Sequence, residues 1–154
     1  MKYIILENIR SAHNVGAIFR TADGAGVSKV FLVGYTPTPI DRFGRQQAEI
    51  KKTSLGASVE LPWEHVGHTT DLLPHLRTLG CTLVAVEQCA RAVSLKDFAV
   101  PANVAYVVGN EVTGVEADTL DQCDAVVDVP MLGAKESLNV ATTAGIVLYH
   151  GLLH

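Results

Sequence analysis

The feature that most constrains this chain is the recurrence of short, uninterrupted apolar runs rich in Val and Ile: Tyr3 to Leu6, Val30 to Val33, Leu83 to Val86, Val104 to Val108 and Ala125 to Val129. A strand with one face in water alternates apolar and polar residues. A run with no polar position must bury both faces, as strands do in a parallel sheet covered by helices on either side. A sixth, weaker strand is predicted over Ala57 to Leu61. Between the runs lie helical segments: Val15 to Ala25, Arg45 to Lys52, Thr70 to Leu79 with Pro74 in its interior, Glu116 to Gln122, and Leu138 to Leu152. In the last of these Leu138, Ala141, Ala144 and Leu148 fall on one stripe. Strand and helix therefore alternate, which predicts an α/β fold with a parallel sheet. At 154 residues and roughly 150 residues per domain, residues 1–154 form a single domain.

Composition removes several function classes. With 48% hydrophobic and 18% charged residues, the chain is not disordered. A net charge of −4 excludes charge-driven, non-specific adhesion to nucleic acid as the main activity. It leaves room for a local basic patch, and the densest stretch, Asp41 to Lys52, sets Arg42, Arg45, Lys51 and Lys52 against Asp41 and Glu49. The apolar run at the N-terminus is too short for a signal-peptide core or a membrane span, so a cytoplasmic protein is expected. Cys81, Cys89 and Cys123 form no C-x-x-C pair and are expected as reduced thiols. His65, His68 and His75 have no carboxylate or Cys nearby to complete a ligand set, so no metal site is expected. A Rossmann loop, a P-loop and a G-x-S-x-G nucleophile elbow are likewise missing from the sequence.

Three segments place polar residues where strands end, which is where open α/β sheets hold their ligands. In the first, Asn8 to Val27, Asn14 is positioned to cap a helix, alone or with a second role. Arg20 follows six residues later among Ala17, Ile18, Phe19 and Ala22, in a helix expected to be mostly buried. Its guanidinium there needs an anionic or carbonyl partner, a structural salt bridge or a ligand. In the second, the strand Val104 to Val108 opens into Gly109-Asn110-Glu111 and a further Gly114, a pattern that serves a simple turn equally well. In the third, a strand runs through Pro130 and a Gly-containing loop into Ser137-Leu138-Asn139. Ser137 is a natural helix cap, and Asn139 falls in the predicted first turn.

Taken together, NVGAIFRTADGAGV, VVGNEVTGV and VPMLGAKESLNVATTAG resemble, in order and spacing, the three signature motifs of the SpoU/TrmH family within the SPOUT superfamily of RNA methyltransferases. The resemblance spans almost the whole chain. It implies a parallel-sheet α/β domain whose C-terminal segment forms a deep trefoil knot, an exception to the rule against threaded chains. It also implies a homodimer, S-adenosylmethionine as cofactor, and transfer of a methyl group to a ribose 2′-hydroxyl of RNA, tRNA first and rRNA second. Carried over by motif, Val86, Glu87, Gly109, Asn110, Glu111, Val129, Met131 and Leu138 would bind the cofactor. Arg20 would be the central catalytic residue, with Asn14, Glu111, Ser137 and Asn139 shaping the site. Because Arg stays protonated above about pH 12, its expected role is to fix phosphate and stabilise a developing alkoxide rather than to act as a base. RNA would be gripped by Arg20 and by Arg42, Arg45, Lys51 and Lys52. Two other readings stay open: methylation of a base nitrogen, as in other SPOUT branches, and a non-catalytic RNA-binding dimer.

Overall fold

The computed structural model describes residues 1–153; His154 lies outside the described residues. The chain runs β1 (Lys2–Glu7), α1 (Ala12–Gly24), β2 (Lys29–Val33), α2 (Ala48–Ser54), α3 (Ala57–Glu60), β3 (Trp63–Val66), α4 (Thr69–Thr78), β4 (Thr82–Val86), β5 (Val93–Ser94), β6 (Val104–Val108), α5 (Ala117–Gln122), β7 (Ala125–Asp128) and α6 (Val140–Tyr149). All the strand pairings are parallel, in the order β3-β2-β1-β6-β4-β7-β5. From β1 the chain first builds outward through β2 and β3, then crosses to the far side of β1 for β4. The order of growth thus reverses beside β1, and the C-terminal ends of β1, β6, β4 and β7 stand together at that switch.

The continuous apolar runs are explained by two cores. Ile4, Leu6, Val30, Leu32, Val84 and Tyr106 face Ile18, Phe19, Val147 and Leu148 of α1 and α6. Their neighbours Tyr3, Ile5, Phe31, Val33, Leu83 and Ala85 face Leu72, Leu73 and Leu76 of α4. Burying one such side chain fully contributes about 1.5–3 kcal/mol, and successive strand residues contribute to opposite layers. The helix α6 packs beside α1 in the first core. Beyond it the His150 ring bonds the Phe98 carbonyl at 2.9 Å, and Lys2 Nζ donates to the Leu148 carbonyl at 2.7 Å.

Several elements depart from expectation. Ala57 to Leu61 is not a strand: Ala57 to Glu60 is a helical turn. Its buried positions are Ala57, Ser58 and Leu61, a helical spacing that five residues of mixed polarity also offer to an alternating reading. The strand on this side is instead Trp63–Val66, which sequence reasoning missed because it pairs on one side only and leaves Glu64 and His65 exposed. The two-residue β5 was too short to register. The α2 helix begins at Ala48 rather than Arg45, because Asp41 to Arg45 form a turn in which the Asp41 carboxylate accepts from the Phe43 and Arg45 N–H groups. The last helix is shorter than predicted, Val140–Tyr149.

Candidate active site

The first helix is capped by Ser11, whose hydroxyl accepts from Asn14 N–H at 3.2 Å. Asn14 is therefore not the cap. It lies inside the first turn, 8% exposed, and its amide is free to link other segments. Glu111 closes this helix start from above: its carboxylate accepts from Arg10 N–H at 2.9 Å, Ser11 N–H at 3.0 Å and Asn14 Nδ2 at 3.3 Å. A carboxylate at a helix N-terminus gains from orphan N–H groups and from the helix dipole. Partial burial raises the Glu111 carboxyl, but the Arg10 and Ser11 amides with the Asn14 side chain outweigh it and hold the group below its ordinary value.

Asn14 Oδ1 in turn accepts from Asn139 Nδ2 at 3.3 Å. Asn139, not Ser137, is the cap of α6, its Oδ1 accepting from Ala141 N–H at 2.8 Å. The helix starts two residues later than the Ser-Leu-Asn pattern suggested. This leaves Ser137 and Leu138 in the approach loop, exposed and free to face a ligand. A line of hydrogen bonds, Glu111 to Asn14 to Asn139, thus joins all three sequence segments.

A second carboxylate organises the neighbouring loops. Glu87, at the end of β4, accepts from Val115 N–H at 2.9 Å, tying the β4 loop to the turn after β6. That turn is closed by reciprocal backbone bonds between Asn110 and Gly114, with Asn110 Oδ1 accepting from the Val112 and Thr113 N–H groups at 2.8 Å. A Cβ at Gly109 would overlap the Gly114 and Val115 backbone, and one at Gly114 would overlap the Glu87 carboxylate. Close approach of backbone requires Gly109, and a φ of 74° favours glycine at 114.

These loops enclose two adjoining cavities. One, of about 130 Å³, is lined by Val86, Glu87, Val129, Met131, Ser137 and Leu138 among others. The other, of about 580 Å³, shares Val86, Glu87, Ser137 and Leu138 and adds Gly109, Asn110, Glu111 and Asn139. Every residue singled out as a cofactor contact lines one or both. The lining mixes apolar side chains with backbone around a few polar groups, as small-molecule sites do. Gln88, which sequence reasoning missed, braces the floor by donating to the Glu136 carbonyl at 2.6 Å. Its only sequence signal is its place directly after a strand-end Glu.

Arg20 is elsewhere. The expectation of a mostly buried guanidinium is not met: Arg20 is exposed and, among the described residues, makes no hydrogen bond or ion pair. Six residues at about 100° each carry it about 240° around α1 from Asn14, into a separate groove of about 730 Å³ with His13, Lys52, Thr53 and Tyr149. Its apolar neighbours Ile18, Phe19 and Ala22 face the core, which is why its surroundings in sequence suggested burial. Lys51 is exposed on the same helix as Lys52. Arg42 and Arg45 lie on a third surface, their guanidinium carbons 4.8 and 5.0 Å from the centre of the exposed Phe43 ring. No cluster of His, Cys, Asp or Glu able to hold a metal ion occurs among the described residues, and none of their helices is long and apolar enough to cross a membrane.

Known proteins share this fold. The SpoU rRNA Methylase family model matches residues 1–149. The 23S rRNA (guanosine-2′-O-)-methyltransferase RlmB of Neisseria meningitidis serogroup B is 33% identical over 94% of this chain and 55% of its own length. The AdoMet-bound rRNA methyltransferase from Sinorhizobium meliloti superposes with a TM-score of 0.86 at 29% identity, over 97% of this chain and 54% of that one. The TrmH/SpoU tRNA modifying enzyme of A. aeolicus gives 0.84 at 25% identity, over 97% and 72%. The chain thus spans about half the length of the curated relatives it matches. With a sheet of this order, three loops meeting at its switch point and a family match from the first residue to Tyr149, the chain belongs to the SpoU rRNA Methylase family.

Proposed function

We propose that this chain is an RNA methyltransferase acting on a ribose 2′-hydroxyl, with S-adenosylmethionine as methyl donor. The observation that carries the reading is the convergence of the three segments: their loops line adjoining cavities, and Glu111, Asn14 and Asn139 form one bonded line at the rim. The residues present suit the donor. Val86, Val129, Met131 and Leu138 offer apolar contact, and Gly109 lets the Gly114 and Val115 backbone close the turn beside them.

The bound donor supplies an electrophilic sulfonium methyl group. The chain has to hold the attacking hydroxyl in line and stabilise the oxygen as its proton leaves. Asn14 and Asn139, fixed by their mutual bond, and Ser137, free in its loop, set the polar rim. Arg20 fixes an RNA phosphate and stabilises the developing alkoxide. Because Arg20 lies on a different face of α1, in a separate groove, on this reading it serves the cavity of a second copy, within a homodimer. The C-terminal knot belongs to the same reading. The His150 ring bonds the Phe98 carbonyl at 2.9 Å, so the end of α6 meets the segment that leads from β5 to β6.

Ribosomal RNA stands ahead of tRNA, which the sequence resemblance put first. This order rests on the relative at 33% identity, which is named for 23S rRNA, against a tRNA-modifying structure at 25%. The test is transfer of labelled methyl to ribosomal RNA and, separately, to tRNA, followed by nucleoside analysis, with Arg20→Ala and Arg20→Lys alongside. The expected product is a 2′-O-methylated nucleoside that is lost in Arg20→Ala and strongly reduced in Arg20→Lys, since Lys lacks the planar fork. A base-methylated product, or full turnover by Arg20→Lys, overturns the reading.

A further inference from the structure

On the outer side of the sheet, the loop from Gly34 to Gln47 and the edge strand β3 enclose a groove of about 1230 Å³ that plays no part in the cofactor cavities. Its surface is unusual for a chain of net charge −4. Phe43 is 67% exposed and Tyr35 61%, and Trp63 and His65 also line the groove. Large aromatic rings left in water mark a recognition surface when they cluster with charge. Here the Arg42 and Arg45 guanidinium groups flank the Phe43 ring. Arg45 is paired with Asp41 at 2.9 Å, whereas Arg42 has no carboxylate partner among the described residues. Asp41 is the sole carboxylate in the lining, so two guanidinium groups face one acid.

The groove is also tied to the cavity rim. Asn110, in the Gly-Asn-Glu turn, donates to the Tyr35 hydroxyl at 2.8 Å with the same amide nitrogen that donates to the Asn8 carbonyl at 2.9 Å. Tyr35 is therefore held in place, with its ring presented to solvent, beside the loop that shapes the cavity. An exposed ring fixed by its hydroxyl, a second ring left 67% exposed with two guanidinium groups near it, and a net positive lining are the requirements for stacking an unpaired base while holding its phosphates.

We propose that this groove binds an unpaired ribonucleotide flanking the one that is methylated, its base stacked on Phe43 and its phosphates held by Arg42 and Arg45. The proposal rests on the RNA methyltransferase reading for its place in the reaction, and on the groove's own chemistry for its ligand. The occupant is single-stranded, because a base already stacked in a duplex cannot lie on Phe43.

The probe is a fluorescein-labelled, random-sequence single-stranded RNA 12-mer, titrated by anisotropy against the full chain, with a fixed-sequence RNA duplex of equal length in parallel. Wild type is expected to prefer the single strand. Phe43→Ala should weaken single-strand binding about tenfold, the fold-change matching one lost stacked base, while Phe43→Trp retains it. Arg42→Ala should lower both the affinity and the steepness of its salt dependence. Calorimetric binding of S-adenosylmethionine should be unchanged in all three variants, which shows that the fold and cavity are intact. Equal binding of duplex and single strand, no effect of Phe43→Ala, or displacement of the 12-mer by polyglutamate as readily as by unlabelled RNA would each overturn the proposal. The last result would make the groove a site for acidic protein segments. If methyl transfer to RNA fails but the Phe43 dependence holds, the groove stands and the enzymatic reading falls. If methyl transfer occurs and Phe43→Ala changes neither 12-mer affinity nor the KM for RNA, the enzymatic reading stands and the groove falls.

Discussion

Replacing Glu111 with Gln tests the central hydrogen-bond line, because the change keeps the shape of the side chain and removes its charge and one acceptor oxygen. In the wild type, Oε1 accepts from Arg10 N–H, and Oε2 accepts from Ser11 N–H and Asn14 Nδ2. The amide retains one acceptor, so one edge of Gln turns an NH₂ group toward a donor. A hydrogen bond to a charged acceptor contributes about 1.5–3 kcal/mol. Glu111 is largely exposed, so the lower end applies, and the released backbone groups regain water. The expected cost is about 2 kcal/mol, which for a domain of this size lowers the thermal midpoint by about 4–8 °C. The dependence on pH has a definite sign. The folded carboxyl titrates below its ordinary value of 4.5, so its contribution is complete above that value and is lost as pH falls through the lower folded one. Thermal melts of wild type and Glu111→Gln should differ at neutral pH and converge in acid. Asn14→Ala in the same background should show coupling of about 1 kcal/mol. An unchanged midpoint at neutral pH, or a gap that persists in acid, would refute the assigned role.

Two further substitutions probe the frame around the site. Glu7, 1% exposed at the end of β1, accepts from Glu116 N–H at 2.7 Å and from the hydroxyls of Thr119 and Thr69, holding α5 and α4 to the sheet. Glu7→Ala strands those donors and leaves a cavity, and should cost about 3 kcal/mol in urea denaturation; a loss below about 1 kcal/mol, the worth of one ordinary hydrogen bond, would contradict the packing role. Gly109→Ala forces a methyl group into the Gly114 and Val115 backbone and should destabilise by about 1–3 kcal/mol. Calorimetry should also show weaker binding of S-adenosylmethionine, and unaltered affinity would separate the turn from the cofactor cavity.

Most of what could be read from the sequence was local. The runs from Tyr3, Val30, Leu83, Val104 and Ala125 announced buried parallel strands because in such a sheet both faces of every residue meet protein, so apolar character is continuous and needs no partner to be recognised. The three polar segments announced a site because Gly, Asn and Ser at strand ends are tied to backbone geometry. The edge strand Trp63–Val66 was illegible for the converse reason: with one paired edge and exposed side chains, its composition carries no constraint. The first helix shows the limit within a single element. Its residues announced a helix, but Ser11 and not Asn14 caps it, which leaves the Asn14 side chain to meet Glu111 from 97 residues away.

The tertiary structure decided the rest. It alone sets Asn14 between Glu111 and Asn139, and it alone separates Arg20 from them, turned about 240° along the same helix. It also gathers Tyr35, Phe43 and Trp63 along one groove, tied through Tyr35 to the Asn110 turn. None of these follows from local pattern, because each depends on which chain segments the sheet order brings side by side, and that order is settled by long-range burial. The sequence by itself determined the five doubly buried strands, the longer helices and the chemical types available at their ends. The fold determined which of those ends meet.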